Sequence, residues 1–443
     1  MKHKIFFLIA FLSTVMMLTS CMSIQYQPSE EEKSLAAAVL IKDTAGVERM
    51  LKNGVTPNAS GVSGLTVLST AINNSDLEMA GLLLSYGAGI NMTDNDGNTS
   101  LFYAKKPNIQ QWLIEKGIDI QIVSKKERTA FEVWCTESAT VLSEAQKKEY
   151  MDILKSQKIA ITKEQMEELF WVSKDDIIQT IKLFTTSGYD LNATHNGSED
   201  TALILTSRAD NYLLMEELLN AGADAQIDNK IGDDPLNIIA SYPESKHSNA
   251  EYKRIVTALL AHGAEINGID RYGNTPLCNA AKINHQARVL ILLSMKDCGV
   301  NVPGEFGATA LFKTNNFPIV KDLVAAGAEI DFENNGGSTP LFMQLNVDSV
   351  KYLIKLGADV NHINNYEENI LIHNMLSANK SYSMTNDYDR IKNEFIGKFE
   401  VLVAAGIDMN HEEEKYGFTA LGLARKVPFV EFVSLFEKAG ARK

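Results

Sequence analysis

A string of residues that recurs along the chain constrains its fold more than any other feature. The clearest copy spans residues 263–282, GAEINGIDRYGNTPLCNAAK. Gly263 suits the end of a helix, because glycine enters the left-handed backbone region without steric cost. Residues 266–272 carry turn formers between short extended pieces, which favours a tight hairpin. Thr275 can cap a following helix, and Pro276 fits its first turn, so one copy predicts helix, hairpin and helix.

The glycine of this string returns at intervals that are mostly near 33 residues. It stands in equivalent contexts at Gly54, Gly87, Gly117, Gly188, Gly222, Gly263, Gly299, Gly327, Gly357, Gly406 and Gly440. The interval of 71 residues between Gly117 and Gly188 predicts one degenerate unit, with residues 157–161 in place of the glycine string. The period therefore predicts about twelve units over residues 33–443, and no linker divides them.

The combination of these strings resembles the ankyrin repeat, whose pattern is G-x-TPLHxAA, a second helix and GADxN. The resemblance implies an all-α solenoid of helix-turn-helix units with short β-hairpin fingers. It also implies that neighbouring units supply each other's core, since one unit cannot bury its apolar face alone. Ankyrin repeats hold proteins on a concave wall of finger tips and first-helix faces. The resemblance thus implies a protein partner without identifying it.

Threonine marks the predicted start of the first helix in most units, with Asp234 and Asn369 as variants. The threonines are Thr66, Thr99, Thr129, Thr201, Thr275, Thr309, Thr339 and Thr419. Thr99, Thr309 and Thr339 stand three residues closer to their following glycines than Thr66, Thr201 and Thr419 do. Three residues are about one helical turn, so the first helix or the turn after it should be short in those three units.

Some parts of the chain depart from the pattern. The match is weakest over residues 125–194, and extra residues fall near 136–147, 242–251 and 377–394, between the two helices of a unit. We expect long loops there, which are either functional or tolerated surface insertions. The histidine that usually follows TPL is absent throughout, as at Cys278, so apolar packing should replace its hydrogen bonds.

The beginning of the chain predicts export and lipidation. Lys2 and Lys4 precede an uncharged apolar run over residues 5–18, which is too short for an ordinary membrane span and is typical of a signal peptide. It ends in LTSC at residues 18–21, which resembles the lipobox of bacterial lipoproteins. The resemblance implies removal of residues 1–20 and acylation of Cys21, and several acyl chains anchor a protein stably. The alternative is an ordinary signal peptide followed by a chance cysteine.

Residues 21–32 are predicted to form the lipidated cysteine and an acidic tether. The alternative is that the glutamates near residue 31 only cap the first helix. Met22, rather than aspartate, follows Cys21, which resembles the signal for outer-membrane retention. The expected location is therefore the bacterial cell envelope, at the outer membrane facing the periplasm more than at the inner membrane.

Charge and motifs exclude several classes of function. The net charge of −14 argues against a phosphate backbone as partner and favours a basic protein. No GxGxxG, Walker, HExxH or GxSxG motif occurs. The loop that begins at Asp94 has Thr99 and Lys105 where a calcium loop needs glycine and glutamate. We expect no catalytic or metal site, no cofactor and no small-molecule substrate, hence a protein that is not an enzyme.

The predicted finger tips supply the candidate partner-binding residues. These are Asn95, Asp96, Asn229, Lys230, Asp270, Arg271, Tyr272, Asn334, Asn335, Asn365 and Tyr366. Cys278 and Cys298 lie at predicted neighbouring ends of two antiparallel helices and are candidates for a disulfide, or else free core cysteines. The predicted function is a membrane-anchored scaffold that binds a protein partner. The alternatives are a structural envelope spacer without a discrete ligand and an immunity-type inhibitor of a toxin or hydrolase.

Overall fold

The computed structural model describes residues 28–61, 64–138, 173–243, 247–385, 388–414, 417–426 and 430–442. The predicted signal peptide, the lipobox with Cys21 and the tether as far as residue 27 lie outside the described residues. Contacts divide the chain into two compact units, which we call the first unit (Met1–Ala223) and the second unit (Asp224–Lys443).

The first unit consists of helix pairs in which the chain runs through a first helix, a short turn and a second helix. Its helices are α1 (Glu30–Leu40), α2 (Thr44–Lys52), α3 (Val67–Asn73), α4 (Leu77–Ser85), a 3-10 helix (Ser100–Tyr103), α5 (Pro107–Glu115), α6 (Ala130–Val133) with a π-helical turn (Trp134–Ser138), α7 (Lys174–Thr186), α8 (Ala202–Arg208) and α9 (Tyr212–Asn220).

The second unit repeats the arrangement and contains one short antiparallel strand pair. Its elements are α10 (Pro235–Ala240), α11 (Asn249–Ala261), α12 (Pro276–Lys282), α13 (Gln286–Leu293), a 3-10 turn (Glu305–Gly307), α14 (Ala310–Lys313), α15 (Phe317–Ala325), α16 (Pro340–Met343), α17 (Val347–Lys355), α18 (Ile370–Thr385), α19 (Tyr388–Ala404), β1 (Glu412–Glu413), β2 (Phe418–Thr419), α20 (Ala420–Ala424) and α21 (Val430–Lys438). The predicted all-α solenoid of helix pairs is confirmed.

Local backbone chemistry places the helix ends where the sequence predicts them. The side chain of Thr275 accepts a hydrogen bond from the backbone N–H of Cys278, and Pro276 follows it in the first turn. Gly263 ends α11 with φ at +97°, in the left-handed region. One predicted cap is wrong. Asp297, with φ at +62°, holds the left-handed position that we assigned to Gly299.

The helices predicted to be short are short. Thr99, Thr309 and Thr339 each begin a helix of four residues, whereas the helices after Thr66 and Thr201 have seven and the helix after Thr419 has five. A missing turn leaves backbone carbonyl groups without their usual partners. A buried glutamine supplies one donor group, since the side-chain amide of Gln344 donates to the carbonyl oxygens of Leu311 at 3.1 Å and Thr314 at 2.9 Å.

Packing shows how α6 and α7 are related. The first helix α6 lies between the 3-10 helix and α8, and α7 lies between α5 and α9. Phe131 of α6 contacts Phe184 of α7, with ring centroids 4.9 Å apart. The two helices are therefore the halves of one pair, and residues 139–172, outside the described residues, separate them. The described residues contain eleven helix pairs, and the degenerate unit predicted around residues 157–161 lies outside the described residues.

Two predicted boundaries also change. Helix α1 begins at Glu30, where the side chain of Ser29 and that of Glu32 form a capping box, so the glutamates act as a helix cap. The extra residues near 377–394 lengthen α18 and α19 instead of forming a long loop. Both changes extend helical structure into segments that the sequence interpretation had assigned to a tether or a loop.

Asparagine side chains tie successive pairs together beside the helices. In the second unit, the side-chain oxygen of Asn267 accepts from the backbone N–H of Gly299 at 2.9 Å. Asn301 does the same for Glu329 at 2.8 Å. These bonds explain the asparagine of the repeated string, because each one fixes the start of the next finger against the previous one.

Candidate protein-binding surface

Each finger is the segment between the second helix of one pair and the first helix of the next. The second unit has six, at residues 224–234, 264–274, 298–308, 328–338, 358–368 and 407–418, which we call the finger row. Residues 415 and 416 of the last finger lie outside the described residues. The tip of a finger is its four-residue turn, such as residues 270–273, and the side chain of the first tip residue holds this turn. The carboxylate of Asp270 accepts from the backbone N–H groups of Tyr272 at 2.9 Å and Asn274 at 2.8 Å. Asn334 accepts in the same way from two backbone N–H groups of its own tip.

This geometry sorts the candidate residues into two groups. Asn229 is only 5% exposed, and its side-chain oxygen accepts from the backbone of Ile231 and Asp233, so its assignment as a partner contact is wrong. Asp270 and Asn334 are half-buried and have the same turn-holding role. The side chains that are exposed at the tips are Lys230, Arg271, Tyr272, Asn335, Asn365 and Tyr366 in the second unit, and Asn95 and Asp96 in the first.

Main-chain hydrogen bonds hold neighbouring tips in register. The backbone N–H of Asn335 donates to the carbonyl oxygen of Phe306 at 3.0 Å. The backbone N–H of Asn365 donates to the carbonyl oxygen of Gly336 at 2.9 Å. A Cβ atom placed on Gly336 would lie 3.3 Å from the ring of Tyr366, so this ring leans over the glycine tip. The tips therefore form one continuous edge of the second unit.

Large apolar side chains are exposed along this edge, at the third residue of the tip. Ile231 is 43% exposed, Tyr272 56%, Phe306 73% and Tyr366 66%. In the first unit, the described third residues are polar, namely Asp96, Lys126 and Ser198. The contrast matters because exposed apolar residues that are grouped together mark interaction surfaces, whereas scattered ones do not.

Phe306 and Ile231 are tip residues that the sequence interpretation missed. Phe306 has φ at +59°, a conformation that costs a non-glycine residue on the order of 1–3 kcal/mol. Its ring is largely exposed, so packing within the chain does not repay this cost. The signal that identifies both residues is their register. Each stands three residues before the cap of the next helix, Thr309 or Asp234, as Tyr272 stands before Thr275.

A second exposed position lies six residues after each helix-ending cap. It holds Asp228, Ile269, Pro303, Glu333, Ile363 and Glu412, and all six are exposed. Ile269 is 57% exposed and Ile363 is 40% exposed. Carboxylates and apolar side chains are thus interspersed along the row.

The finger row is strongly acidic, whereas the rest of the second unit is basic. The six finger segments contain 17 acidic and three basic residues, and the remaining residues of 224–443 contain 11 acidic and 19 basic ones. Carboxylates of neighbouring fingers influence one another. Burial, together with the negative charges of Glu265 and Asp233, raises the pKa of Asp228 above its usual value. The fingers therefore carry a concentrated negative charge.

The first unit has a different polar cluster, which is mostly buried. The carboxylate of Glu132 is fully buried, accepts from the backbone N–H of Thr129 at 2.7 Å and lies 3.2 Å from Nδ1 of His195. The hydroxyl groups of Thr129 and Tyr189 are 2.9 Å apart. These contacts join α6 to the residues after α7, so the cluster closes that helix pair.

The structure contains Cys278 and Cys298 as free thiols. The thiol of Cys278 points at the next finger, where the carbonyl oxygen of Ala308 lies 3.8 Å from its Sγ atom. Burial raises the pKa of the Cys278 thiol, and burial together with Cys278 raises the pKa of Cys298 to about 11.

Among the described residues, no group of three or more histidines, cysteines and carboxylates is placed to bind a metal ion. No described helix has both the length and the apolar composition that crossing a bilayer requires.

Comparison with known proteins identifies the repeats. Residues 35–124 match a family model described as ankyrin repeats in three copies, and residues 259–311 match one described as ankyrin repeats in many copies. One match lies in each unit. The chain therefore contains ankyrin repeats, as the residues of the repeated string indicated, and the helix pairs and fingers described above are those of an ankyrin solenoid.

Two curated proteins are similar to this chain. One is the phosphocholine transferase AnkX of Legionella pneumophila, which is 22% identical over 360 residues, or 80% of this chain and 32% of AnkX. The other is an ankyrin repeat-containing protein of Schizosaccharomyces pombe, which is 33% identical over 70 residues, or 16% of this chain and 34% of that protein. The alignments cover about a third of the length of each relative.

Proposed function

We propose that this ankyrin-repeat chain is a lipid-anchored scaffold of the bacterial cell envelope, and that the finger row of its second unit binds a protein partner. One observation carries the binding role. Four large apolar side chains, those of Ile231, Tyr272, Phe306 and Tyr366, are exposed at one register position of the second unit. Ankyrin repeats generally bind proteins, and this edge offers apolar contact area at the same position of several fingers.

The anchoring role is supported by the N-terminal sequence. Basic residues, an apolar run and the LTSC string at residues 18–21 follow one another in the order that lipidation requires. Met22 after the lipidated cysteine supports retention at the outer membrane, with the repeats in the periplasm.

The proposed role is non-enzymatic. We assign no transferase activity to the chain on the basis of its likeness to AnkX, because the identity is low and about two thirds of AnkX lies outside the alignment.

Site-specific photocrosslinking in intact cells tests the binding role. A photoreactive phenylalanine analogue replaces Tyr272, Phe306 or Tyr366 in the full chain, and matched controls carry it at Leu290 or Leu356. These two leucines lie on or just after helices of the same unit and are 47% and 45% exposed. We expect one discrete product from the finger positions and none from the controls. The same products at all positions, or none at any, would contradict a binding edge; many abundant products would favour a spacer.

Replacement of the predicted lipidation site tests the anchor. Cys21→Ser removes the thiol that receives the diacylglycerol, so the variant should lose label from radioactive palmitate. It should also move from the detergent-rich to the aqueous phase in a detergent extraction. A variant that stays labelled and in the detergent phase would refute lipidation at Cys21.

A further inference from the structure

We propose that the finger row takes a cationic protein segment in which apolar side chains alternate with lysine and arginine. The inference rests on the proposed function, since it specifies the chemistry of the partner at the same surface. The occupant to which we commit is a segment of another protein. A second copy of this chain is the main competing occupant.

The distribution of charge is the first argument. The row concentrates 17 acidic against three basic residues, and the rest of its unit has the opposite excess. This segregation exceeds what solubility alone would need, because a soluble surface can intersperse both signs. Nine of the carboxylates are exposed, at Asp228, Glu265, Glu329, Asp331, Glu333, Asp359, Asp408, Glu412 and Glu414. Their joint field attracts a cationic partner and repels nucleic acid and anionic lipid.

The apolar side chains between these carboxylates are the second argument. Charge alone would suit many small cations, but at the second exposed position of the fingers Ile269, Pro303 and Ile363 stand among Asp228, Glu333 and Glu412. An occupant gains from both kinds of group only when its own apolar and basic side chains alternate. A polypeptide segment can supply that alternation over several fingers.

The aromatic tips specify the basic partner residue further. The guanidinium group of Arg271 lies over the ring of Tyr272, 4.7 Å from the ring centroid. This contact shows that a tip ring can hold a guanidinium group on its face. Phe306 and Tyr366 are more exposed than Tyr272, so their rings are available to arginine side chains of a partner.

Peptide binding to the purified full chain in a non-ionic detergent tests the inference. The probes are three fluorescein-labelled 16-residue peptides, each with a four-residue unit repeated four times. The units are Lys-Phe-Arg-Ser, its charge-reversed form Glu-Phe-Asp-Ser, and Lys-Ser-Arg-Ser without aromatic residues. We expect the first peptide to bind at least a hundredfold more tightly than the second and about tenfold more tightly than the third. Raising NaCl from 50 to 500 mM should weaken its binding about tenfold.

Matched variants localise the binding. The triple variant Glu265→Gln, Glu333→Gln and Glu412→Gln should weaken binding of the Lys-Phe-Arg-Ser peptide at least tenfold. The control Asp348→Asn, Glu400→Gln and Glu437→Gln removes as many exposed carboxylates from helices of the same unit and should change it less than twofold. Replacing Tyr272, Phe306 and Tyr366 by alanine should abolish the advantage of the phenylalanine peptide over the serine peptide.

The outcomes separate the two proposals. Equal losses in the finger and control variants, or equal affinity for the charge-reversed peptide, would overturn the cationic segment. Sedimentation that shows a dimer in the parent and a monomer in the finger variant, with no peptide bound, would assign the row to a second copy. If the finger crosslinks appear and any of these results is obtained, the partner chemistry fails while the proposed function stands.

Discussion

Lys398 provides the sharpest test of the energetics of the second unit. It lies in α19, is 1% exposed, and donates hydrogen bonds to the carbonyl oxygen of Phe342 at 3.0 Å and the side-chain oxygen of Asn374 at 3.3 Å. Both acceptors are uncharged. Burial lowers the pKa of Lys398 from 10.5 to about 7, because the ammonium form loses its hydration. The perturbation is Lys398→Met, which keeps a flexible side chain of similar length.

The sign and size of the effect follow from the two pKa values. Between pH 7 and 10.5, the unfolded chain binds more protons at Lys398 than the folded chain does. The free energy of unfolding must therefore rise with pH in this window, by about 1.4 kcal/mol per unit and about 5 kcal/mol in all. Methionine removes this dependence. At pH 7, Lys398→Met should therefore stabilise the last helix pairs by a net of about 2 kcal/mol. This net value includes a cost of about 1–3 kcal/mol, because the carbonyl oxygen of Phe342 loses its hydrogen-bond donor.

Hydrogen exchange measured by mass spectrometry between pH 6.5 and 9.5, corrected for intrinsic rates, is the assay. Peptides from residues 395–404 should gain protection with pH in the parent and show little pH dependence in Lys398→Met. The control Lys355→Met removes an exposed lysine of α17 and should leave the parental slope unchanged. If the parent and Lys398→Met share one slope over this range, Lys398 is charged in the folded protein and the reasoning is refuted.

Two further predictions concern α11 to α13. Gly263→Val places a β-branched residue at φ +97°, and its Cβ would come within 3.1 Å of Gln226, so protection in exchange over residues 259–277 should fall by about 1–3 kcal/mol. Asp297→Gly removes the strain of a non-glycine residue at positive φ, so it should raise protection against exchange. If Gly263→Val leaves protection unchanged, residue 263 is not a helix cap. Iodoacetamide added to the unreduced, denatured protein should label both Cys278 and Cys298, whereas recovery of a disulfide-linked peptide would contradict the free thiols.

The sequence predicted features that depend on a few consecutive residues. Thr275 and Pro276 begin a helix and Gly263 ends one, because caps and left-handed turns are fixed by local hydrogen bonds and sterics. The short helices after Thr309 and Thr339 followed from counting residues to the next glycine. Each of these features can be read without knowing what the segment packs against.

Tertiary structure decided which segments of the chain pack against each other. Only the stacking of α6 and α7 on their neighbours showed that these two helices, which are far apart in the sequence, form one pair. The tip asparagines Asn229 and Asn335 stand at the first and second positions of their tips, and Asn229 is buried in its turn whereas Asn335 is exposed. The first position is buried because its side chain accepts hydrogen bonds from backbone N–H groups of its own tip, as at Asn229. Sequence identified Tyr272 as a tip residue but not the apolar and acidic edge of which it is part, because that edge exists only where fingers far apart in sequence are joined.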